Sequence, residues 1–139
     1  MREGKTDKLD RIMESLVGPD QNFTSCVVTN ERGLVVAGES IEGFSSQILA
    51  AMVALMSDTA IRVSENLGYG HPKTSSIKGY GVLISIQEFM VRDRWFRIGA
   101  VLSENKESRS RFFRRGLNPE KIESRLAGAA KKLRSILED

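Results

Sequence analysis

The stretch from Phe23 to Ala37, FTSCVVTNERGLVVA, carries the clearest structural pattern in the sequence. Its first half, Phe23 to Thr29, is rich in β-branched and aromatic residues, which are typical of strands. Asn30-Glu31-Arg32-Gly33 has the composition of a tight turn, and Gly33 suits the left-handed position that ends such a turn. Leu34 to Ala37 then resumes the extended pattern. We therefore predict a β-hairpin over this stretch.

A short amphipathic helix is predicted before the hairpin. Apolar residues recur at helical spacing from Leu9 to Val17, and Thr6 is a suitable N-cap. Gly18-Pro19 follows directly and is expected to end the helix, since proline cannot continue one.

A long helix is predicted after the hairpin, from about Ser45 to Leu67, and Gly68 is expected to end it. One broad stripe should face the core: Ile48, Leu49, Met52, Val53, Leu55, Met56, Ala60, Val63 and Leu67. The opposite face carries small or apolar residues where a water-facing helix would carry Lys, Glu and Gln: Ala50, Ala51, Ala54, Ser57 and Ile61. Because small residues permit close approach of another helix, we expect a partner subunit to cover this face.

Three strands and a last helix complete the predicted fold. Thr74 to Lys78 is short and polar, whereas Val82 to Met90 and Trp95 to Leu102 are apolar on both faces and turn near Arg92-Asp93. Asn118 and Pro119 then begin a helix with an apolar stripe. The order predicts an α+β fold, α-β-β-α-β-β-β-α, with helices covering both faces of the sheet.

Length and composition indicate one domain, residues 1–139. The 139 residues are 40% hydrophobic and 28% charged, the balance of a soluble globular protein. The longest uncharged run, Gly43 to Ser57, is shorter than the ~20 apolar residues of a membrane-spanning helix. The charged first residues lack the apolar stretch of a secretory signal. We therefore expect no transmembrane segment and a cytoplasmic location.

Positive charge is concentrated in one segment, residues 104–118, before the last helix. Between Lys106 and Arg115 there are five cations and one anion, although the net charge of the chain is only +3. We interpret the segment as a basic linker exposed to solvent, and expect neither nucleic acid nor a membrane surface as the main partner. The alternative is contact with an anionic surface through Arg109, Arg111, Arg114 and Arg115.

The catalytic and metal-binding motifs are incomplete. Gly33 to Ser40 has P-loop spacing, but Glu39 stands where lysine is needed and would repel phosphate. Cys26 and His71 could form a nucleophile and base, yet Cys26 lies in an apolar strand and no carboxylate is identified that would orient His71. One cysteine and one histidine cannot supply the four ligands of a structural zinc site. We expect no enzyme activity, no metal and no cofactor.

Several segments together resemble the Roadblock/dynein light chain family, in its stand-alone prokaryotic type. These segments are Asn30 to Ala37, the alanine-rich helix that ends at Asn66-Leu67-Gly68, and Gly81 to Ile86. The resemblance covers roughly Leu9 to Leu102. It implies a three-layer sandwich: a five-stranded antiparallel sheet with the long helix on one face and the terminal helices on the other. The basic insert from Lys106 to Arg115 departs from the family pattern.

The resemblance also implies dimerisation. Family members pair their third strands edge to edge and pack their long helices together. The matching positions are Ser75, Ser76 and Ile77 in the strand, with Ala50, Ala54, Ser57 and Ile61 on the helix.

Three functions remain open at this point. The first, which the resemblance implies, is a non-enzymatic homodimer, or heterodimer with another Roadblock protein, that binds a Ras-like small GTPase and modulates its nucleotide state or location. The second is a profilin-like or longin-like sensor or adaptor for a small ligand or a trafficking partner, which a monomer with an apolar pocket would favour. The third is an RNA or membrane-surface binder acting through the basic segment, whose binding would weaken steeply with salt.

Overall fold

The computed structural model describes residues 4–18, 23–41, 43–103 and 119–138. In chain order the elements in these ranges are α1 (Lys5–Leu16), β1 (Ser25–Asn30), β2 (Val35–Ser40), α2 (Ser46–Asn66), β3 (Thr74–Gly79), β4 (Val82–Val91), β5 (Arg94–Ser103) and α3 (Pro119–Glu138). The predicted order of helices and strands is therefore confirmed.

The five strands form one sheet in the order β2-β1-β5-β4-β3, and every neighbouring pair is antiparallel. β3 and β2 are its two edges. The predicted turn between β4 and β5 consists of Arg92 and Asp93, whose φ angles are 50° and 66°. Two positive φ values are characteristic of the tight type I′ hairpin, whose twist matches that of the strands it joins.

Helices cover both faces of the sheet, as the apolar pattern predicts. α2 packs on one face against side chains such as Val27, Ile86 and Val101. α1 and α3 pack on the other face, where the larger cluster includes Met13, Phe89, Ile98, Leu126 and Leu133. The fold is the predicted α+β three-layer sandwich.

α2 approaches the sheet closely because β5 carries a glycine beneath it. A Cβ atom added at Gly99 would collide with the methyl groups of Val53. The missing side chain at Gly99 therefore fixes the depth at which the helix lies on the strands.

One sequence expectation needs correction. α1 begins at Lys5 with Gly4 as its N-cap, and the Lys8 N–H donates to the Gly4 carbonyl, so Thr6 lies within the helix and does not cap it. α2 is, by length and composition alone, long and apolar enough to cross a membrane, a property that it shares with core helices of globular domains. In this fold one side of α2 packs on the sheet.

Candidate interaction surface

The outward face of α2 is the most conspicuous apolar surface of the described residues. Ile48, Met52, Leu55 and Val63 recur at helical spacing and are 54–70% exposed. Scattered exposed apolar side chains are ordinary, but four large ones on one helix face, interrupted by the hydroxyl of Thr59, indicate an interaction surface. We call these four residues the outer α2 face.

The predicted core stripe of α2 is correct in part: Leu49 and Val53 are buried, whereas Ile48, Met52, Leu55 and Val63, predicted with them, are exposed. Ala50 and Ser57, predicted to meet a partner subunit, are almost completely buried against the sheet of their own chain. Ala54 and Ile61, predicted with them, are half-buried, and Ala54 lies close to Gly33 of the β1–β2 turn. The small residues do permit a close approach, as predicted, but what they approach is the sheet.

The predicted strand residues lie on an exposed sheet edge. β3 is an edge strand, Ser75 is half-buried, and Ser76 and Ile77 are exposed. Ile77 stands opposite Ile84 in register and therefore projects from the same face of the sheet as α2. The β3 edge and the outer α2 face consequently lie on one side of the molecule, where a single partner can contact both.

A buried polar cluster connects α2 to the sheet and was missed in the sequence. The Glu88 carboxylate accepts hydrogen bonds from the Ser57 hydroxyl at 2.6 Å and from Arg97 Nε at 3.0 Å. His71 Nε2 lies 3.3 Å from the same carboxylate, and Arg97 Nη2 lies 3.7 Å from Asp58 Oδ1. The sequence feature that could have revealed this cluster is a charged residue in each of two neighbouring apolar strands, Glu88 in β4 and Arg97 in β5.

The cluster does not have the arrangement of a catalytic triad. A triad needs histidine between the nucleophile and the carboxylate, whereas here the carboxylate of Glu88 lies between Ser57 and His71. The Ser57 hydroxyl is completely buried, so no substrate can reach it. The arrangement holds α2 to the sheet.

Cys26 and His71 do not come together. The Cys26 thiol packs on the α1 side of the sheet, 3.5 Å from the Met13 sulfur, whereas His71 joins the cluster on the α2 side. Burial, with the nearby charge of Glu39, raises the pKa of the Cys26 thiol to about 12. A thiol in this state is a poor nucleophile.

The remaining predicted site residues, Arg109, Arg111, Arg114 and Arg115, lie outside the described residues, as does the whole segment 104–118. Within the described ranges, no three His, Cys, Asp or Glu side chains come together as metal ligands.

Known structures show what this fold is similar to. No protein-family model and no curated protein sequence matches the chain. A Roadblock/LC7 domain from Streptomyces avermitilis matches with a TM-score of 0.72 and 16% identity, over 94% of this chain and 98% of that one. The gliding protein MglB from Thermus thermophilus matches with a TM-score of 0.70 and 11% identity, over 98% and 93%.

A further solved structure, described as MglB with a tetrameric arrangement, matches with a TM-score of 0.72 and 12% identity, over 98% of this chain and 92% of that one. At such low identities the likeness establishes the fold. The chain has the fold of Roadblock/LC7 domain proteins.

Proposed function

We propose that this chain with a Roadblock/LC7 fold is a cytoplasmic, non-enzymatic scaffold that dimerises and binds a Ras-like small GTPase, modulating its nucleotide state or its location. The observation that carries the proposal is the outer α2 face, an apolar helix surface that no part of the described chain covers. The GTPase as partner rests on the sequence resemblance and on the fold.

Dimerisation is the first half of the proposal. Fully burying a Leu, Ile, Val or Met side chain stabilises an assembly by roughly 1.5–3 kcal/mol, so covering the four outer α2 residues is a substantial driving force. The β3 edge adds unpaired backbone groups on the same side of the molecule. A second copy of the chain can cover both surfaces at once, and another Roadblock protein could do so as a heterodimer.

Regulation without catalysis is the second half. Ser57, Glu88 and Arg97, which form the centre of the polar cluster in the described chain, are buried between α2 and the sheet. They stabilise the platform on which a partner would dock. The effect on a GTPase would therefore come from contact with its surface.

The test is a binding and rate measurement with purified Ras-like GTPases of the same organism. We expect the chain to bind at least one of them. A regulator of nucleotide state would change the release of a fluorescent guanine nucleotide or the rate of GTP hydrolysis, whereas a recruiting scaffold would bind without changing either rate. Absence of binding to every such GTPase, together with unchanged rates, would contradict the proposal. Leu34→Arg, on an exposed leucine of the β1–β2 turn, serves as a control surface variant.

A further inference from the structure

A second surface lies where β4 continues beyond the end of β3. The two strands pair only as far as Thr74 opposite Gln87, and one more hydrogen bond joins the Glu88 N–H to the Lys73 carbonyl at 2.9 Å. β4 runs on to Val91, so Phe89 to Val91 has no strand beside it on that edge among the described residues. A groove of about 450 Å³ lies along this open edge.

The loop before β3 leaves the edge open. Pro72 has no N–H to donate to a neighbouring strand, so it cannot extend β3. His71 turns over the sheet instead, and its ring stacks on Trp95 with centroids 3.7 Å apart and planes 4° from parallel. Alternate residues of a strand direct their backbone groups to the same side, so the Met90 N–H and carbonyl face the open edge, as the Glu88 N–H does.

Within the described part of the chain, no residue of β3 pairs with Met90, and no turn, loop or cap hydrogen bond involves its backbone. Its side chain is 38% exposed. This edge of β4 is therefore available to an incoming strand, and it differs from the β3 edge assigned to the dimer.

The charge around the groove is positive. Lys73, from the loop before β3, and Lys131 and Arg134, from α3, line it. Arg134 pairs with Glu138 at 3.0 Å, whereas Lys73 and Lys131 are exposed and form no ion pair within the described ranges. Among the described residues of the lining, Glu88 is the one carboxylate, and its side chain is only 2% exposed and is paired with Arg97.

The floor of the groove is apolar. Phe89 and Met90 contribute from β4, and Ala127 and Ala130 contribute from α3. An extended peptide that binds here would meet a free backbone edge, an apolar floor and two unpaired ammonium groups.

We propose that the open edge of β4 binds an extended acidic peptide of a partner protein, which adds as a short strand beside Phe89 to Val91 and places carboxylates against Lys73 and Lys131. Strand addition of this kind draws affinity from main-chain hydrogen bonds and specificity from side-chain contacts. The basic segment 104–118 of this chain does not suit the site, because its five cations between positions 106 and 115 would meet like charges. The proposal does not depend on the dimer or on a GTPase.

The test uses the full chain and a fluorescently labelled, capped heptapeptide of sequence DEVTVED. We expect binding that weakens at least tenfold in the double variant Lys73→Glu, Lys131→Glu and also weakens with salt. Lys121→Glu is the matched control, since Lys121 is exposed on the same helix but stands about 15 Å from Lys131 along the helix axis, beyond the Debye length of ~8 Å. The affinity of the Lys121→Glu variant for DEVTVED should stay within twofold of the affinity of the unaltered chain.

Two further measurements test strand addition itself. The peptide DEVPVED has the same charge but lacks a central N–H, and we expect it to bind at least fivefold more weakly. Hydrogen exchange of the Met90 amide should slow when DEVTVED binds. The proposal is overturned if DEVTVED does not bind, if the double charge reversal leaves binding unchanged, if DEVPVED binds equally well, or if protection appears on β2 or β3 and not at Met90.

Discussion

At the scale of single residues, the buried pair of Glu88 and Arg97 is the least expected feature. The two residues stand opposite each other on β4 and β5, and Ser57 of α2 donates to the same carboxylate. Removing one member of a buried charge pair leaves the other charge without a partner in the low-dielectric interior of the protein. The cluster therefore makes the position of α2 depend on a few polar contacts.

Ser57→Ala tests this dependence. Loss of its hydrogen bond to buried Glu88 should lower the free energy of unfolding by about 1–3 kcal/mol, and Arg97→Met should lower it by about 3–5 kcal/mol, both measured by urea denaturation. The control is Ser15→Ala on the exposed side of α1, where the hydroxyl donates to the Ile12 carbonyl of its own helix. Equal effects of Ser57→Ala and Ser15→Ala would show that the contact with Glu88 contributes no stability.

Cys26 gives a second prediction at this scale. With its pKa raised to about 12, about one thiol in ten thousand is ionised at pH 8, and burial also blocks access. Because the thiolate is the reactive form, a disulfide reagent such as DTNB should label the folded chain very slowly at pH 8 and label it at once in denaturant. Rapid labelling without denaturant would contradict the packing of Cys26 between β1 and α1.

At the scale of elements, the helical periodicity of α2 locates its core face only approximately. Leu49 and Val53 point inward as predicted, together with Ala50 and Ser57, whereas Ile48, Met52, Leu55 and Val63 point outward. The inner face fits because Gly99 leaves room for the helix to approach β5. Because apolar side chains occur on more than one side of this helix, periodicity alone does not fix which of them meet the sheet.

Gly99→Ala tests the close approach of α2. The added methyl group would collide with Val53, and overpacking of this kind lowers the free energy of unfolding by about 1–3 kcal/mol. Gly128→Ala is the control, because a Cβ there meets no atom within 4 Å and alanine favours a helix such as α3. It should raise stability by about 0.5–1 kcal/mol. If Gly99→Ala were stabilising too, α2 would not lie as deep as described.

The sequence predicted the elements well and the contacts between them poorly. The β1–β2 hairpin with its turn glycine, the Arg92-Asp93 turn and the length of α2 all follow from local signals. The Glu88 cluster includes a contact between residues 39 positions apart, Asp58 and Arg97, and the open β4 edge depends on where β3 begins against its neighbour. Such features are set by tertiary packing, which one sequence does not display.

At the scale of the whole molecule, the outer α2 face and the β3 edge lie on one side, and the open β4 edge gives a second surface beyond the start of β3. The proposed dimer surface and the proposed peptide site use different residues. Each can therefore be altered alone.

Leu55→Arg alters the dimer surface alone. Leu55 is 70% exposed in the chain, so the substitution should leave the fold intact but place a charge inside the dimer interface. We expect a monomer with an unchanged circular dichroism spectrum. Leu34→Arg makes the same change at a leucine that is 60% exposed. Leu34 lines a surface with Val36 and Phe96 on the α1–α3 side of the sheet, so the Leu34→Arg variant should remain dimeric. Dissociation of both variants, or of neither, would show that the outer α2 face is not the interface.

Dimerisation through the outer α2 face is tested by the absolute mass of the unaltered chain in solution, measured by light scattering over a range of concentrations and at two salt levels. We expect a particle of twice the 15.5 kDa chain mass at both salt levels, because an apolar interface is not weakened by salt. A mass of 15.5 kDa at every concentration would contradict the dimer and, with it, the interpretation of the outer α2 face.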